Sequence, residues 1–269
     1  MSPSSPLPSN QHAATRRDAG GLTWRHYLVV FLIALTMRAG WGAYRLTRAP
    51  DAGLLEFPDE EEYWALAMGL WNGEGLHDEL GFRATRMPLY PGLLAPFTLL
   101  PHGVVFAGAL HWLMGAAAAA LATALAATLF DRRVGLLAGV LVAIDPFHVF
   151  FSSLLLTETP FLCAALVLWW LIAASFGPDR RTAVGWLWIG GLGALCVYLR
   201  ESSLGLVLTA LAFVVVGRRF ERRSVVGAGF AAAVVVASLV PRAAKGRWSI
   251  ARPRRRFVST RGSHPEQPA

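Results

Sequence analysis

Apolar residues run in long blocks along this chain, and short polar corners interrupt them. Crossing a bilayer takes about 20 mostly apolar residues. Blocks near that length lie at Tyr27–Tyr44, Val104–Phe130, Val134–Phe151, Leu154–Phe176, Ala183–Leu199, Ser203–Val216 and Val225–Val240. The pattern predicts an all-α fold, a polytopic transmembrane helical bundle of about seven spans. Between the first two blocks, residues 45–103 mix polar and apolar positions. Within them "FPDEEEYWALAMGLWNGEG" (Phe57 to Gly75) opens on Pro58, which suits a first helical turn, and on acids, which suit the positive end of a helix dipole. Tyr63, Leu66, Ala67 and Leu70 then fall on one face, and Asn72-Gly73 suits a stop. An amphipathic interfacial helix is expected there. Leu89–Leu100 is apolar, but at about 1.5 Å per residue it is too short for a ~30 Å hydrocarbon core. Pro88, Pro91, Pro96 and Pro101 punctuate it, so it reads as a re-entrant or interfacial helix.

Composition agrees with a membrane protein. The chain is 55% hydrophobic and 16% charged, with mean hydropathy +0.46. Three regions follow: a polar 1–24 tail that suits disorder, a 25–240 transmembrane module and a basic 241–269 tail. The last tail carries eight Lys/Arg against one acid, so it accounts for most of the net charge of +8. The body is nearly neutral, which argues against nucleic acid as a partner. The tail could touch anionic membrane lipids, although a plain solvated tail is the simpler reading. Nine of the 17 acids lie between Asp51 and Glu79, so the body has one acidic loop.

The arginines set an expected orientation. Arg16, Arg17 and Arg25 precede the first block, and Arg132/Arg133, Arg180/Arg181 and Arg218/Arg219/Arg222/Arg223 occupy alternate corners. Positive residues favour the cytoplasmic side. The N-terminus is therefore expected in the cytoplasm of a multi-pass inner-membrane protein. The acidic loop, the 145–158 corner and the Arg200 corner would then share the extracytoplasmic face. With an odd number of spans the basic tail falls on that face too, which misfits the rule.

Several side chains on that face could carry chemistry. Four consecutive carboxylates, Asp59 to Glu62, exceed what a helix start needs beside an apolar interface. Glu158 in "SSLLLTETPFL" is either a functional acid or a solvated helix start before Pro160. Arg200 is either a snorkelling anchor paired with Glu201 or a phosphate contact, since the planar guanidinium matches phosphate oxygens. Arg83 and Arg86 in "GFRATRMPLYPG" offer the same chemistry. Arg38, inside the first block, is expected to snorkel outward or pair with a loop acid. His148, across the corner from Glu158, reads as structural or interfacial. Cys163 and Cys196 read as small buried residues. No GxxxxGK[ST] loop, HExxH, GxSxG or Cys/His metal pattern occurs, so no cofactor or metal is expected. "GGLGAL" at 190–195 suits small-residue packing rather than a nucleotide loop.

The order of these stretches resembles the membrane glycosyltransferases that use polyprenyl-phosphate sugars, the GT-C class, in the bacterial branch related to protein mannosyltransferases. "FPDEEEYWALAMGLWNGEG" is similar to the family's first-loop D-E-x-x-Y segment, and "RMPLYPGLL" to its R-x-P-x-Y-P stretch. "LFDRRVGLLAGVLVAIDPFHVFFSSLLLTETPF" and "YLRESS" follow in the family's order. The resemblance covers about residues 25–240. It implies a lipid-linked sugar donor reached from the bilayer and an acceptor hydroxyl outside the cytoplasm. It implies Asp59 as general base, Glu60 assisting or orienting it, and Arg86 and Arg200 holding the departing phosphate. Arg83 and Glu158 join them as substrate-binding candidates. The sequence after the seventh block departs from the family's pattern. The expectation is a truncated member, with a partner chain supplying the C-terminal half. Two other readings stay open. One is a non-catalytic fragment or assembly subunit. The other is a transporter or flippase, which the gathering of charge at one edge disfavours.

Overall fold

The computed structural model describes residues 22–48, 55–76, 86–175 and 183–217. The expected seventh block, Arg83 and the basic tail lie outside the described residues. Nine α-helices follow one another among the described residues: α1 (Trp24–Arg48), α2 (Pro58–Trp71), α3 (Leu89–Leu94), α4 (Gly103–Leu129), α5 (Arg132–Ile144), α6 (Pro146–Phe151), α7 (Glu158–Ser175), α8 (Ala183–Leu199) and α9 (Leu204–Gly217). No strand occurs among the described residues, so the all-helical expectation is met. Two helices, α1 and α4, are long and apolar enough to cross a membrane. The other apolar helices are shorter.

The third expected block differs most. It breaks at Asp145 into α5 and α6, because Pro146 fits only a first turn and the Asp145 carboxylate caps a new helix by accepting the His148 N–H at 2.8 Å. The fourth begins later than expected: residues 154–157 are bent backbone, and the helix starts at Glu158. Leu89–Leu100 is short as expected and tightens after α3 into a 3-10 turn, Ala95–Leu99, with Pro96 in its first turn.

Helix α4 is central and packs on α1, α5 and α7. Small residues let the backbones approach closely, which is how apolar helices associate in lipid. Gly135 and Gly139 of α5 lie against Ala127 and Thr123 of α4, and Gly42 of α1 lies under the Trp112 ring, where a side chain would collide. The buried residues Val30, Ala34, Arg38, Gly42 and Arg45 recur every three or four positions, so α1 turns one face inward.

Arg38 corrects an expectation. It neither snorkels nor meets a loop acid. It is 1% exposed, and its guanidinium donates to the Ala34, Ala143 and Val142 carbonyls. The last two belong to the final turn of α5, whose carbonyls lack helical partners. Arg38 therefore caps α5 from a neighbouring helix, where the dipole favours a cation.

The larger core joins α2 and α3 to α7, α8 and α9 through Tyr63, Ala67, Tyr90, Leu94, Leu155, Leu168, Ile189 and Val207. It brings the start of α2 to the start of α7, the end of α8 and the start of α9.

Candidate active site

Helix α2 sorts the consecutive carboxylates by phase. Glu60 stands three residues before Tyr63 and seven before Ala67, in line with the buried stripe, and is 0% exposed. Its Oε1 accepts the Leu155 N–H at 2.7 Å, while Oε2 accepts the Glu56 and Phe57 N–H groups at 3.0 and 3.2 Å. The Phe57 bond is the backward half of a capping box. Burial pushes the Glu60 carboxyl above its ordinary value, and the three backbone donors and Arg45 offset this only in part. Glu60 thus ties the start of α2 to the bent segment before α7 and does not line the cleft.

Asp59 and Glu62, three residues apart, turn to the other side, where Arg86 spans both. Its Nη2 lies 2.5 Å from Asp59 and 2.7 Å from Glu62, and its Nε is 2.9 Å from Glu62. The hydrogen bond to Glu62 is the main cause that raises the Arg86 pKa, so this guanidinium is charged at every working pH. It also lies 5.3 Å from the centre of the Tyr63 ring. Tyr63 stacks edge-on against Tyr90 at 4.8 Å, and the Tyr90 hydroxyl meets His111 at 3.1 Å. Burial pushes the Tyr63 hydroxyl up. Across the gap, Glu158 at the start of α7 pairs with Arg200 at the end of α8 at 3.0 Å, and Arg200 also donates to Ser202 at 3.2 Å.

The Arg86 cluster and the Arg200–Glu158 pair face each other in one cleft of about 260 Å³, lined by Asp59, Tyr63, Arg86, Thr157, Glu158, Leu199 and Arg200. Asp59, Arg86, Glu158 and Arg200, widely spaced in sequence, come together there. Beside them runs an apolar groove of about 650 Å³ between α3, α7 and α8, from Pro88 and Leu89 to Leu195 and Leu199. Leu199 lines both, so the groove opens beside the charged cleft.

Sequence reasoning missed Glu62 as a partner of Arg86, although its spacing from Asp59 places both on one helical face. It also missed the burial of Glu60, whose phase with Tyr63 and Ala67 carried the signal. His148, read as structural, is held by Asp145 through Nδ1 at 2.5 Å.

The cleft combines an exposed carboxylate with two guanidiniums and an apolar groove. It can accept a proton beside a group that gains negative charge. Among the described residues no cluster of three metal-ligating side chains occurs. A family model described as dolichyl-phosphate-mannose-protein mannosyltransferase matches residues 60–241. No curated protein and no solved structure matches the chain.

Proposed function

We propose a function on one premise: the chain belongs to the dolichyl-phosphate-mannose-protein mannosyltransferase family. It is a membrane glycosyltransferase of the mannosyltransferase type. Our finer reading is transfer of a sugar from a polyprenyl-phosphate donor to an acceptor hydroxyl on the extracytoplasmic side of a bacterial inner membrane. The fold would be of the GT-C class with about seven spans and a cytoplasmic N-terminus, as the arginine pattern implies.

The observation that carries this reading is the meeting of the charged cleft with the apolar groove. A polyprenyl tail needs a long apolar surface, and its phosphate needs cations at one end. The groove and Arg200 stand in that relation, with Leu199 lining both cavities.

Asp59 is the base in this scheme. It is 58% exposed, so a hydroxyl can reach it. The acceptor O–H proton passes to the Asp59 carboxylate while the oxygen bonds to the anomeric carbon. The bond from that carbon to the phosphate oxygen breaks, and the phosphate leaves with the electron pair. Charge balance gives Arg86 its part. Asp59, Glu62 and Glu158 stand against Arg86 and Arg200, so the resting cleft carries one excess negative charge. A phosphate that gains charge would be repelled. Once Asp59 takes the proton, that excess is gone, and its hold on the Arg86 Nη2 weakens as the phosphate gains charge. Proton acceptance and phosphate stabilisation are thereby linked through one guanidinium. Glu60 acts as a positioning residue behind Asp59.

The test is transfer from a radiolabelled polyprenyl-phosphate mannose by purified chain in lipid, with a hydroxyl-bearing acceptor pool from membranes. Transfer by the wild type that Asp59→Asn abolishes is the expected result. Equal transfer by both would remove Asp59 from the mechanism.

A further inference from the structure

The charged cleft and the apolar groove meet at a sharp boundary. Three segments change character there within a residue or two. Met87 lines the cleft and Pro88 the groove, Glu158 lines the cleft and Pro160 the groove, and Leu199 borders both while Arg200 turns to the cleft. Among the described residues that line the two cavities, Leu199 alone is shared. It is the last residue of α8, where the Arg200 N–H donates to the Cys196 carbonyl at 2.9 Å and the Arg200 guanidinium is held by Glu158 at 3.0 Å. An apolar side chain and the cation that follows it are therefore fixed next to each other.

Leu199 is 5% exposed and belongs to the larger core, so it is packed in place. Among the described residues of the groove, no side chain carries a charge, an oxygen or a nitrogen. A polar group pressed against this wall would lose water and gain no hydrogen bond, which is costly. An apolar group gains from the same burial. A ligand whose phosphate sits at Arg200 and whose remainder enters the groove must therefore lay the atoms next to the phosphate on Leu199.

We propose that Leu199 is a specificity-determining residue of the donor site and reads the first isoprene unit joined to the phosphate. Later units run past Leu195, one helical turn or about 5.4 Å earlier in α8. The wall is more open there, since Leu195 is 39% exposed. The head of the tail is gripped and the rest is sheltered. The inference rests on the polyprenyl-phosphate reading above and adds to it the residue that sorts donors, at the junction of phosphate and chain rather than at the far end of the tail.

The test is binding, independent of transfer. The full chain is placed in phosphatidylcholine nanodiscs with tritiated geranylgeranyl phosphate, and the counts held by empty discs are subtracted. The label is displaced by unlabelled geranylgeranyl phosphate, by dimethylallyl phosphate, which has a single isoprene unit, and by mannose 1-phosphate, the head of the donor without its tail. Wild type, Leu199→Asn and Leu195→Trp are compared. Leu199→Asn should weaken both prenyl phosphates by a similar factor, roughly tenfold, and mannose 1-phosphate by less than about twofold. Leu195→Trp fills the groove one turn further in, at a position with room for a larger side chain. It should weaken geranylgeranyl phosphate and spare dimethylallyl phosphate. A general packing defect would weaken all three ligands together. Wild-type binding in Leu199→Asn, or an equal loss for all three ligands, overturns the role of Leu199 and leaves the donor reading standing. If Leu199→Asn fails to fold, Leu195→Trp decides, and an equal loss of both prenyl phosphates overturns the inference. No binding of either prenyl phosphate by wild type overturns the donor reading and this inference with it.

Discussion

Replacing Glu60 tests whether the acidic stretch is built on a buried staple. In Glu60→Ala three backbone N–H groups lose their acceptor. The Leu155 N–H is the expensive one, because Leu155 is 2% exposed and water does not replace the carboxylate; such an orphaned donor costs about 1–3 kcal/mol. The Glu56 and Phe57 donors sit at an exposed helix start, and each loses a bond worth about 0.5–1.5 kcal/mol that water restores in part. Relief of the buried carboxylate offsets some of this, so the expected net loss is about 2–4 kcal/mol. For a chain of this size that is roughly a 5–15 °C fall in melting midpoint. Glu60→Gln keeps one carbonyl oxygen, which can serve either Leu155 or the Glu56/Phe57 pair but not both. Its amide N–H₂ then faces a donor, so a loss of about 1–2 kcal/mol is expected. A thiol-reactive dye provides the assay, because Cys196 is buried and Cys163 partly so, and both react fully only when the core opens. A Glu60→Ala protein melting within about 2 °C of wild type would refute the staple.

The same residue gives a pH prediction: burial raises the native Glu60 pKa above 4.5, so the native state binds this proton more tightly than the unfolded chain. Its contribution to stability is therefore fully present below about 4.5 and falls as pH climbs through the raised value, and Glu60→Gln should flatten that part of the melting profile. Asp59→Asn should lower transfer by roughly 10²–10⁴-fold while the melting midpoint barely moves, since Arg86 keeps Glu62. Arg86→Lys should lower kcat more than it raises KM, because an ammonium cannot span two carboxylates and a leaving phosphate as the planar fork does; unchanged kcat in steady-state assays would contradict the linkage to Asp59. Gly139→Leu should destabilise by about 1–3 kcal/mol or more, as its side chain meets Thr123 and the Ala119 carbonyl, and a wild-type melting curve would argue against the tight α4–α5 contact.

The legibility of this molecule follows the range of each interaction. Helix α2 was readable to its ends, because Pro58, the apolar stripe and Asn72-Gly73 all act within a turn or two, and Gly73 does adopt the left-handed φ of 75° that such a stop needs. The convergence of Asp59, Arg86, Glu158 and Arg200 was readable too, because ionisable groups in a greasy chain have few places to go. Arg38 defeated the same logic. Its partners are carbonyls of α5 more than a hundred residues away, and a backbone carbonyl carries no residue identity for a pattern to register.

The acidic cluster shows how far phase alone carries. Asp59 and Glu62 share one side and share Arg86, and Glu60 falls in line with Tyr63 and Ala67. Adjacent acids therefore have opposite environments, Asp59 open to solvent and Glu60 sealed inside. The sealed acid depends on the Leu155 N–H, 95 residues downstream, which only the packed structure brings to it. The core around Tyr63 and Ala67 holds α2 against the α7 side, and Glu60 adds the bond that ties its first turn to the bent segment before α7. That bond helps to keep Asp59 and Glu158 on one cleft. The exposed acid is thus positioned in part through the buried acid beside it, and three of the carboxylates in the row, Asp59, Glu60 and Glu62, have partners beyond the helix start.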